Sequence, residues 1–261
     1  MPDSLTTAKQ TYTDDEWAEI RREGWVWADD TARWFEAHLQ IPDRLTDALI
    51  PFVPNREQLL VLHAVGMQIA AGVPIRLMVL KARRMGISTV VTALGVMWTV
   101  TRENYSAYAI AHDADGTGTL WTMAQLYRDS LEGTEYDRPT DFSNTKAIVY
   151  SKPHRSSYRF QTAGGNQGEG KAGVARSKQI GFFHVSERAF VQNWRSVNAG
   201  AASCIPDMPH TCKIYETTAN GASGDFYEDW NRTSAAHRDH PRFLYCTLPL
   251  FFSWLARLDY S

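Results

Sequence analysis

The chain has 261 residues, which is enough for one large α/β domain or at most two small ones. Its hydrophobic content of 44% and charged content of 21% are typical of a folded soluble protein. The sequence contains no run of about 18 apolar residues, so no transmembrane helix is predicted, and the polar N-terminus lacks the apolar segment of a signal peptide. The net charge of −2 gives no global positive field, so any nucleic-acid contact must come from a local patch. The scattered Cys204, Cys212 and Cys246 favour a reducing cytoplasm over a disulfide framework.

Apolar residues at helical spacing predict two helices in the first part of the chain. The first covers 14–40, where tryptophans supply most of the apolar side, and the second covers 55–72. Pro42, Pro51 and Pro54 lie between them and predict an irregular connection.

Short apolar or alternating runs then predict strands that alternate with helices. The predicted elements are a strand at 75–80, a helix at 88–100, a strand at 106–111, a helix at 119–131, a hairpin of 146–150 with 157–162, and strands at 179–185, 211–217 and 242–248. The glycine-rich stretch 164–173 is predicted to be a loop. Alternating strands and helices predict an α/β fold, with a mostly parallel central sheet covered by helices on both faces.

The stretch LKARRMGIST, between a predicted strand and a predicted helix, resembles a phosphate-binding loop with the lysine displaced. On the pattern G-x-x-x-x-G-K-[ST], Gly86 and Ser88 fit, but Ile87 holds the lysine position and Lys81 holds that of the first glycine. Lys81 could still reach phosphates from the start of the loop. Ser88 and Thr89 lie where a hydroxyl would coordinate Mg²⁺. A basic turn without a ligand is the alternative.

A second motif, IGFFHVSERAF, is an apolar strand that ends in an acidic residue. Glu187 is predicted to be the general base for the water that attacks a nucleotide phosphate. Ser186 holds the position usually taken by a metal-side aspartate and is predicted to contact Mg²⁺ through water. An exposed glutamate at a strand end is the alternative.

A third motif, KIYETTANGASGDFYEDW, follows a strand with small polar side chains. Thr218 and Asn220 are thereby predicted at the carboxyl edge of the sheet, where open α/β sheets bind ligands. A plain turn at Asn220–Gly221 is the alternative.

Together and in this order, the three motifs resemble the ATPase domain of the large terminase subunit of tailed double-stranded DNA phages. The matching residues are Arg83, Gly86, Ser88, Thr89, Ser186, Glu187, Ala189, Phe190, Thr218, Asn220, Gly221, Phe226, Tyr227 and Trp230. Some members also carry the loop lysine at the amino-terminal edge, as Lys81 does here. The resemblance covers roughly residues 50 to 260. It implies a P-loop NTPase of the ASCE/RecA-like type with an N-terminal helical extension (1–50), the ATPase domain (51–250) and the start of a linker towards an absent nuclease domain (251–261).

The resemblance also implies roles for individual residues. Glu187, Arg83 and Lys81 would be catalytic, with Arg83 on the γ-phosphate, while Thr218 and Asn220 would couple loss of that phosphate to DNA. Arg84 stands where many relatives have glutamine and is given no catalytic role. Gln58 would read adenine, and Arg176 matches a basic residue before the acidic strand. The implied ATP-binding residues are Gln58, Lys81, Ala82, Arg83, Arg84, Met85, Gly86, Ile87, Ser88 and Thr89, and the implied Mg²⁺ residues are Ser88 and Ser186.

The implied function is an ATP- and Mg²⁺-dependent motor that drives double-stranded DNA into a procapsid. The implied partners are DNA, the portal protein, the small terminase subunit and further copies of the chain in a ring, by resemblance a pentamer, and no membrane. The implied location is the host cytoplasm, without retention in the virion. A helicase-like nucleic-acid-dependent ATPase, and a catalytically inactive module that docks to the portal or the small subunit, remain alternatives. A basic hairpin that could touch phosphates contains Lys146, Lys152, His154, Arg155 and Arg159. A basic exposed hairpin without a ligand is the alternative.

Overall fold

A computed structural model of the protein describes residues 12–43, 45–144, 146–163 and 179–253, apart from the side chain of residue 202. The helices are α1 (Asp14–His38), α2 (Arg56–Ala70), α3 (Ile87–Thr101), α4 (Ala114–Ser130), a short 3₁₀ helix (Arg188–Phe190), α5 (Trp194–Ala202) and α6 (Asp225–Asp239). The strands are β1 (Gln40–Pro42), β2 (Leu49–Pro51), β3 (Ile75–Lys81), β4 (Ser106–Ala111), β5 (Thr140–Asn144), β6 (Ala147–Tyr150), β7 (Ser157–Thr162), β8 (Phe182–Ser186), β9 (Cys212–Thr217) and β10 (Leu248–Phe252).

An eight-stranded sheet forms the centre of the fold, in the order β10-β3-β9-β8-β4-β7-β6-β5. The strands from β10 to β7 are parallel, and β6 and β5 extend that sheet antiparallel. Strands β3, β4 and β8 are almost wholly buried, as expected of parallel strands covered on both faces. The predicted α/β fold with a mostly parallel sheet is confirmed.

Most of the predicted elements are present, but the strand predicted at 242–248 is wrong. Residues 241–246 form turns, and the strand begins at Leu248 and continues through Pro249 to Phe252. Because β10 lies at the edge of the sheet, it tolerates a proline that would interrupt a central strand. The apolar run before it serves another purpose, since Leu244 is buried in the core and its carbonyl accepts a hydrogen bond from Gln68.

The long helix α1 packs against α2 and shares the core of the sheet. Its residues Phe35 and Ala28 are fully buried in the same apolar cluster as α2 and α3. The two helices approach closely where Gly24 faces Gly66, because a Cβ on Gly66 would lie 2.5 Å from the Gly24 carbonyl oxygen. None of the helices in the described part of the chain is long and apolar enough to cross a membrane.

The sheet topology decides where functional residues can meet. Strands β3, β9 and β8 are adjacent and parallel, so all three finish at the same end of the sheet, which we call its carboxyl edge. The three sequence motifs follow these three strands and are therefore brought together. The loop predicted at 164–173, Arg176 and residues 254–261 of the predicted linker lie outside the described residues, while β10 includes the first two residues of that linker range.

Candidate active site

A tight loop joins the end of β3 to the start of α3. Lys81 is the last residue of the strand, and the backbone turns back at Arg84 (φ 62°) and Gly86 (φ 71°) before α3 begins at Ile87. Glycine adopts this left-handed conformation without strain. Because Gly86 has no side chain to cap the helix, the first N–H groups of α3 face the loop and are suited to bind an anion.

The first turn of α2 supports this loop from behind. Asn55 Nδ2 donates a hydrogen bond to the Met85 carbonyl oxygen at 3.3 Å, and Gln58 Nε2 donates to the Gly86 carbonyl oxygen at 2.7 Å. Gln58 Oε1 also accepts from the Asn55 backbone N–H at 2.8 Å, which completes the N-terminal cap of α2. The Gln58 amide retains one N–H and one lone pair beyond these bonds. Its adenine-reading role stays a prediction.

Lys81 lies between two carboxylates from neighbouring strands. Its Nζ atom is 2.9 Å from Oε1 of Glu187 and 3.0 Å from Oε2 of Glu216, and only 9% of the residue is exposed. Burial lowers the pKa of Lys81, but the two carboxylates outweigh burial and raise that pKa above its usual value. The predicted lysine and the predicted base are therefore brought into direct contact.

Glu187 directly follows β8 in a left-handed conformation (φ 53°, ψ 48°), which is uncommon for a residue with a side chain. Its Oε2 atom accepts hydrogen bonds from both the backbone N–H and the hydroxyl of Thr218, each at 2.9 Å. The Thr217 hydroxyl lies 3.4 Å from the same oxygen, but its nearer acceptor is the Thr218 carbonyl oxygen at 2.9 Å. About 25% of the Glu187 side chain remains exposed, so the carboxylate is fixed in place yet accessible to water.

Glu216, in β9, was missed by the sequence analysis. The residue is fully buried, its Oε1 atom accepts a hydrogen bond from the Ser88 hydroxyl at 2.6 Å, and His184 Nε2 lies 3.3 Å from the same oxygen. Burial raises the pKa of Glu216, but His184, Lys81 and Ser88 together lower it to about 2. A signal was available, because in CKIYET this charged residue continues the inward-facing alternation of Cys212 and Ile214.

The other predicted loop residues divide between solvent and core. Arg83 and Arg84 are exposed, whereas Ala82 and Thr89 are half-buried. Met85 and Ile87 are packed in the core, and 1% of each residue is exposed. A lysine at position 87 would therefore point into the core, while the ammonium group of Lys81 lies at the mouth of the loop.

The predicted coupling residues lie directly beyond β9. Thr218 is 9% exposed and bonded to Glu187, and Asn220 is exposed with its Nδ2 atom donating to the Ala189 carbonyl oxygen at 3.1 Å. Two side chains of the segment after β9, Thr218 and Asn220, thus bond to the segment after β8.

The chemistry of these groups fits a magnesium nucleotide. Mg²⁺ at phosphate sites keeps several waters and takes phosphate oxygens with one or two protein oxygens, and the Ser88 hydroxyl and the carboxylates are oxygen ligands of this kind. In the described part of the chain, no three or more His, Cys, Asp or Glu side chains are grouped to hold a metal. Mg²⁺ would supply a positive charge on the phosphate oxygens, and the N-terminus of α3 and Lys81 would bind the anion.

We compared the sequence and the fold of this chain with those of known proteins. No protein-family model and no curated protein matches the sequence. Solved structures do match, and among them is the large terminase of bacteriophage HK97, with a TM-score of 0.63, 12% identity and 85% of this chain covered. The large terminase of a thermophilic bacteriophage gives a TM-score of 0.55 at 14% identity over 79% of this chain. The large terminase ATPase domain of Thermus phage P74-26 gives 0.53 at 12% identity over 80%.

The chain has the fold of a large-terminase ATPase domain. It covers 43% of the HK97 terminase chain and 47% of the terminase chain from the thermophilic phage, but 86% of the P74-26 ATPase domain. The predicted α/β architecture with a mostly parallel central sheet is thus shared with these terminase structures, and the likeness at these identities concerns the fold alone.

Proposed function

We propose that this chain is the ATP-hydrolysing motor domain of a phage terminase, which moves double-stranded DNA into a procapsid. The observation that carries the proposal is the 2.9 Å contact between Lys81 Nζ and Glu187 Oε1 at the mouth of the loop before α3. A phosphate-binding cation and a candidate base meet there, at the carboxyl edge of a parallel sheet.

Each residue has a role that its position supports. The first N–H groups of α3 and the ammonium group of Lys81 bind the phosphates of ATP. Glu187, held by Thr218, accepts the proton of the attacking water. Arg83, exposed on the loop, reaches the γ-phosphate and stabilises the charge that develops there. Magnesium contributes charge neutralisation at the phosphates when it is bound.

Transmission from ATP to DNA would begin at the Glu187–Thr218 contact. When the γ-phosphate leaves, the position of Glu187 changes and the hydrogen bonds from Thr218 no longer hold the segment after β9 in the same place. Asn220, bonded to the Ala189 carbonyl, carries that change to the segment after β8. We further propose that the portal protein, the small terminase subunit and a ring of copies of this chain are partners in the host cytoplasm, and that the chain does not remain in the virion.

The experiment is a steady-state ATPase assay with and without linear duplex DNA. The wild-type chain is compared with Lys81→Ala, Glu187→Gln and the control Glu103→Gln. Glu103 is exposed and precedes β4 at the opposite edge of the sheet. Mg²⁺-dependent turnover in the wild type and the control, lost in the other two variants, supports the proposal.

Two additions to this assay separate the alternatives. When single-stranded nucleic acid is also added, turnover stimulated by it but not by the duplex would favour the helicase-like ATPase. When ATP binding is measured by titration, absence of binding in the wild type would favour the docking module and contradict the proposed motor.

A further inference from the structure

We propose that Glu216 supplies the carboxylate that faces Mg²⁺ in the ATP site. It would replace the aspartate whose usual position is held here by Ser186. This inference rests on the proposed function, because it concerns the divalent cation that accompanies ATP. It assigns a role to a residue that lies within the third motif, KIYETTANGASGDFYEDW, but was given no role there. It also explains how a site with serine at position 186 holds magnesium.

Strand register carries the first step. Ser186 on β8 and Glu216 on β9 are directly paired in the parallel ladder. Paired residues of parallel strands project to the same face of the sheet, and neighbouring strands lie roughly 4.8 Å apart. A carboxylate on β9 at this level therefore enters the same space as one on β8, and the glutamate side chain is one methylene longer than that of aspartate. The small Ser186 side chain leaves that space open.

The second step is the contact with Ser88. This hydroxyl, in the first turn of α3, is the predicted protein ligand of magnesium, and it donates to Glu216 Oε1 at 2.6 Å. The corresponding oxygen of Ser186 makes no described contact with Ser88. The metal-facing hydroxyl and the carboxylate of Glu216 are thus already in one cluster.

The third step is charge balance. A fully buried carboxylate needs a compensating cation, and Lys81 provides it at 3.0 Å from Oε2 of Glu216. This oxygen is close enough for an ion pair but accepts no well-aligned hydrogen bond. When Lys81 turns towards the phosphates, Glu216 keeps only His184 and Ser88. A divalent cation beside Glu216 would then neutralise its carboxylate. The ammonium group of Lys81 therefore neutralises Glu216 until the nucleotide and its cation bind.

A purely structural role for Glu216 makes a different prediction. If Glu216 only held Lys81 and α3 in place, its replacement would weaken nucleotide binding to the same extent with and without magnesium. A metal-side carboxylate would affect only the part of the affinity that magnesium adds.

The test measures the dissociation constant of a non-hydrolysable ATP analogue by calorimetry, in Mg²⁺ and in EDTA. The variants are Glu216→Gln, Ser186→Ala and the control Glu103→Gln, each with its melting temperature. We expect Glu216→Gln to reduce the magnesium-dependent gain in affinity by about 10–100-fold and to leave the affinity in EDTA unchanged. The control Glu103→Gln should keep the wild-type gain, and Ser186→Ala should lose much less of it than Glu216→Gln does. A double variant, Ser186→Asp with Glu216→Ser, should restore part of the gain by returning the carboxylate to β8.

Four results would overturn the inference. A wild-type magnesium gain in Glu216→Gln, or equal weakening in Mg²⁺ and EDTA, would contradict it while leaving the proposed function intact. If Glu216→Gln fails to fold, the double variant decides, because no magnesium gain in a folded double variant contradicts the role of the carboxylate. Absence of nucleotide binding by the wild type under both conditions would overturn the inference together with the proposed function.

Discussion

Thr218 is bonded twice to Glu187, through its backbone N–H and its hydroxyl, each 2.9 Å from the same carboxylate oxygen. The two residues belong to different motifs and are separated by a long stretch of chain, and they meet because β8 and β9 are adjacent and parallel. The candidate base is therefore oriented by the segment that would sense the nucleotide. The contact between Thr218 and Glu187 would thus both orient the base and link it to the segment after β9. Separate substitutions of Thr218 and Glu187 test these two roles.

Glu187→Gln should reduce ATP hydrolysis by about 10²–10⁴-fold, which is the usual effect of losing a general base. ATP binding should be largely intact, because the loop and Lys81 are unchanged and glutamine preserves the side-chain shape. Turnover and the dissociation constant of ATP are measured on the same preparation. A variant that keeps more than half of the wild-type turnover would show that Glu187 is not the base.

Thr218→Val should lower turnover less than Glu187→Gln does. Valine has nearly the shape of threonine and keeps the backbone N–H that donates to Glu187, but it removes the hydroxyl donor. A hydrogen bond to a charged group contributes about 1.5–3 kcal/mol, so we expect a loss of roughly one to two orders of magnitude in kcat. KM for ATP should change little. Thr233→Val, on α6, is the matched control, and an unaffected kcat in Thr218→Val would show that the hydroxyl does not orient Glu187.

Lys81→Ala should strongly weaken nucleotide binding or turnover, and adding Ile87→Lys should rescue little. Ile87 is 1% exposed and packs in the core, so a lysine there must bury its charge or distort the start of α3. Ile87→Lys alone should therefore lower the melting temperature, whereas Lys152→Ala, on the exposed hairpin turn, should not. Normal ATP binding and hydrolysis by Lys81→Ala would contradict the displaced-lysine interpretation.

The sequence predicted those parts of the site that follow chain-local patterns. The strand at β4 and the helix at α3 were recognised because their apolar runs are uninterrupted, and the three motifs were recognised because each directly follows a strand. The meeting of Lys81 with Glu187 was implied only by resemblance, since it depends on β9 lying between β3 and β8.

The parts that were missed depend on partners distant in the chain. Glu216 is charged yet fully buried, and only Lys81, His184 and Ser88, from three other elements, make that burial tolerable. Similarly, β10 was misplaced because Pro249 argues against a strand unless the strand lies at an edge, and strand order cannot be read from local pattern. Helices α5 and α6 were not predicted, because α5 is short and α6 is mostly polar, so neither contains a long apolar run.

Acid should selectively remove the stabilisation that comes from ionised Glu216. Its pKa is lowered from 4.5 to about 2 in the folded protein, so the folded state holds its proton less tightly than the unfolded chain. The resulting stabilisation is fully present above about pH 4.5 and is lost as the pH falls towards about 2. The difference in unfolding free energy between the wild type and Glu216→Gln should be constant from pH 7 to 5 and then shift in favour of the variant.

Urea unfolding of both proteins at pH 7, 5, 4 and 3 measures this difference. A difference that stays constant down to pH 3 would show that the folded protein does not lower the pKa of Glu216. The control Glu103→Gln, with an exposed side chain at the opposite sheet edge, should show no comparable shift.

Finally, the isolated chain should bind DNA weakly and should be a monomer, or at most a weak oligomer, in solution. Its net charge is −2, and the basic hairpin offers only a few cations to phosphates. Affinity for DNA depends on how many phosphates are neutralised, and each one adds to the salt dependence. A single domain should therefore lose most of its affinity between roughly 50 and 200 mM salt.

Ring contacts would then form only on the portal, where each of several copies adds its own few phosphate contacts and a neighbour could bring an arginine to the ATP site. Light scattering measures the mass in solution, and fluorescence anisotropy of a labelled duplex across a salt series measures the affinity. Lys152→Ala combined with Arg155→Ala should reduce both the affinity and its salt slope, since both residues lie in the hairpin turn, while ATP binding should be unchanged. A stable ring without the portal, or tight DNA binding by a monomer that persists at high salt, would contradict this account of how the motor engages DNA.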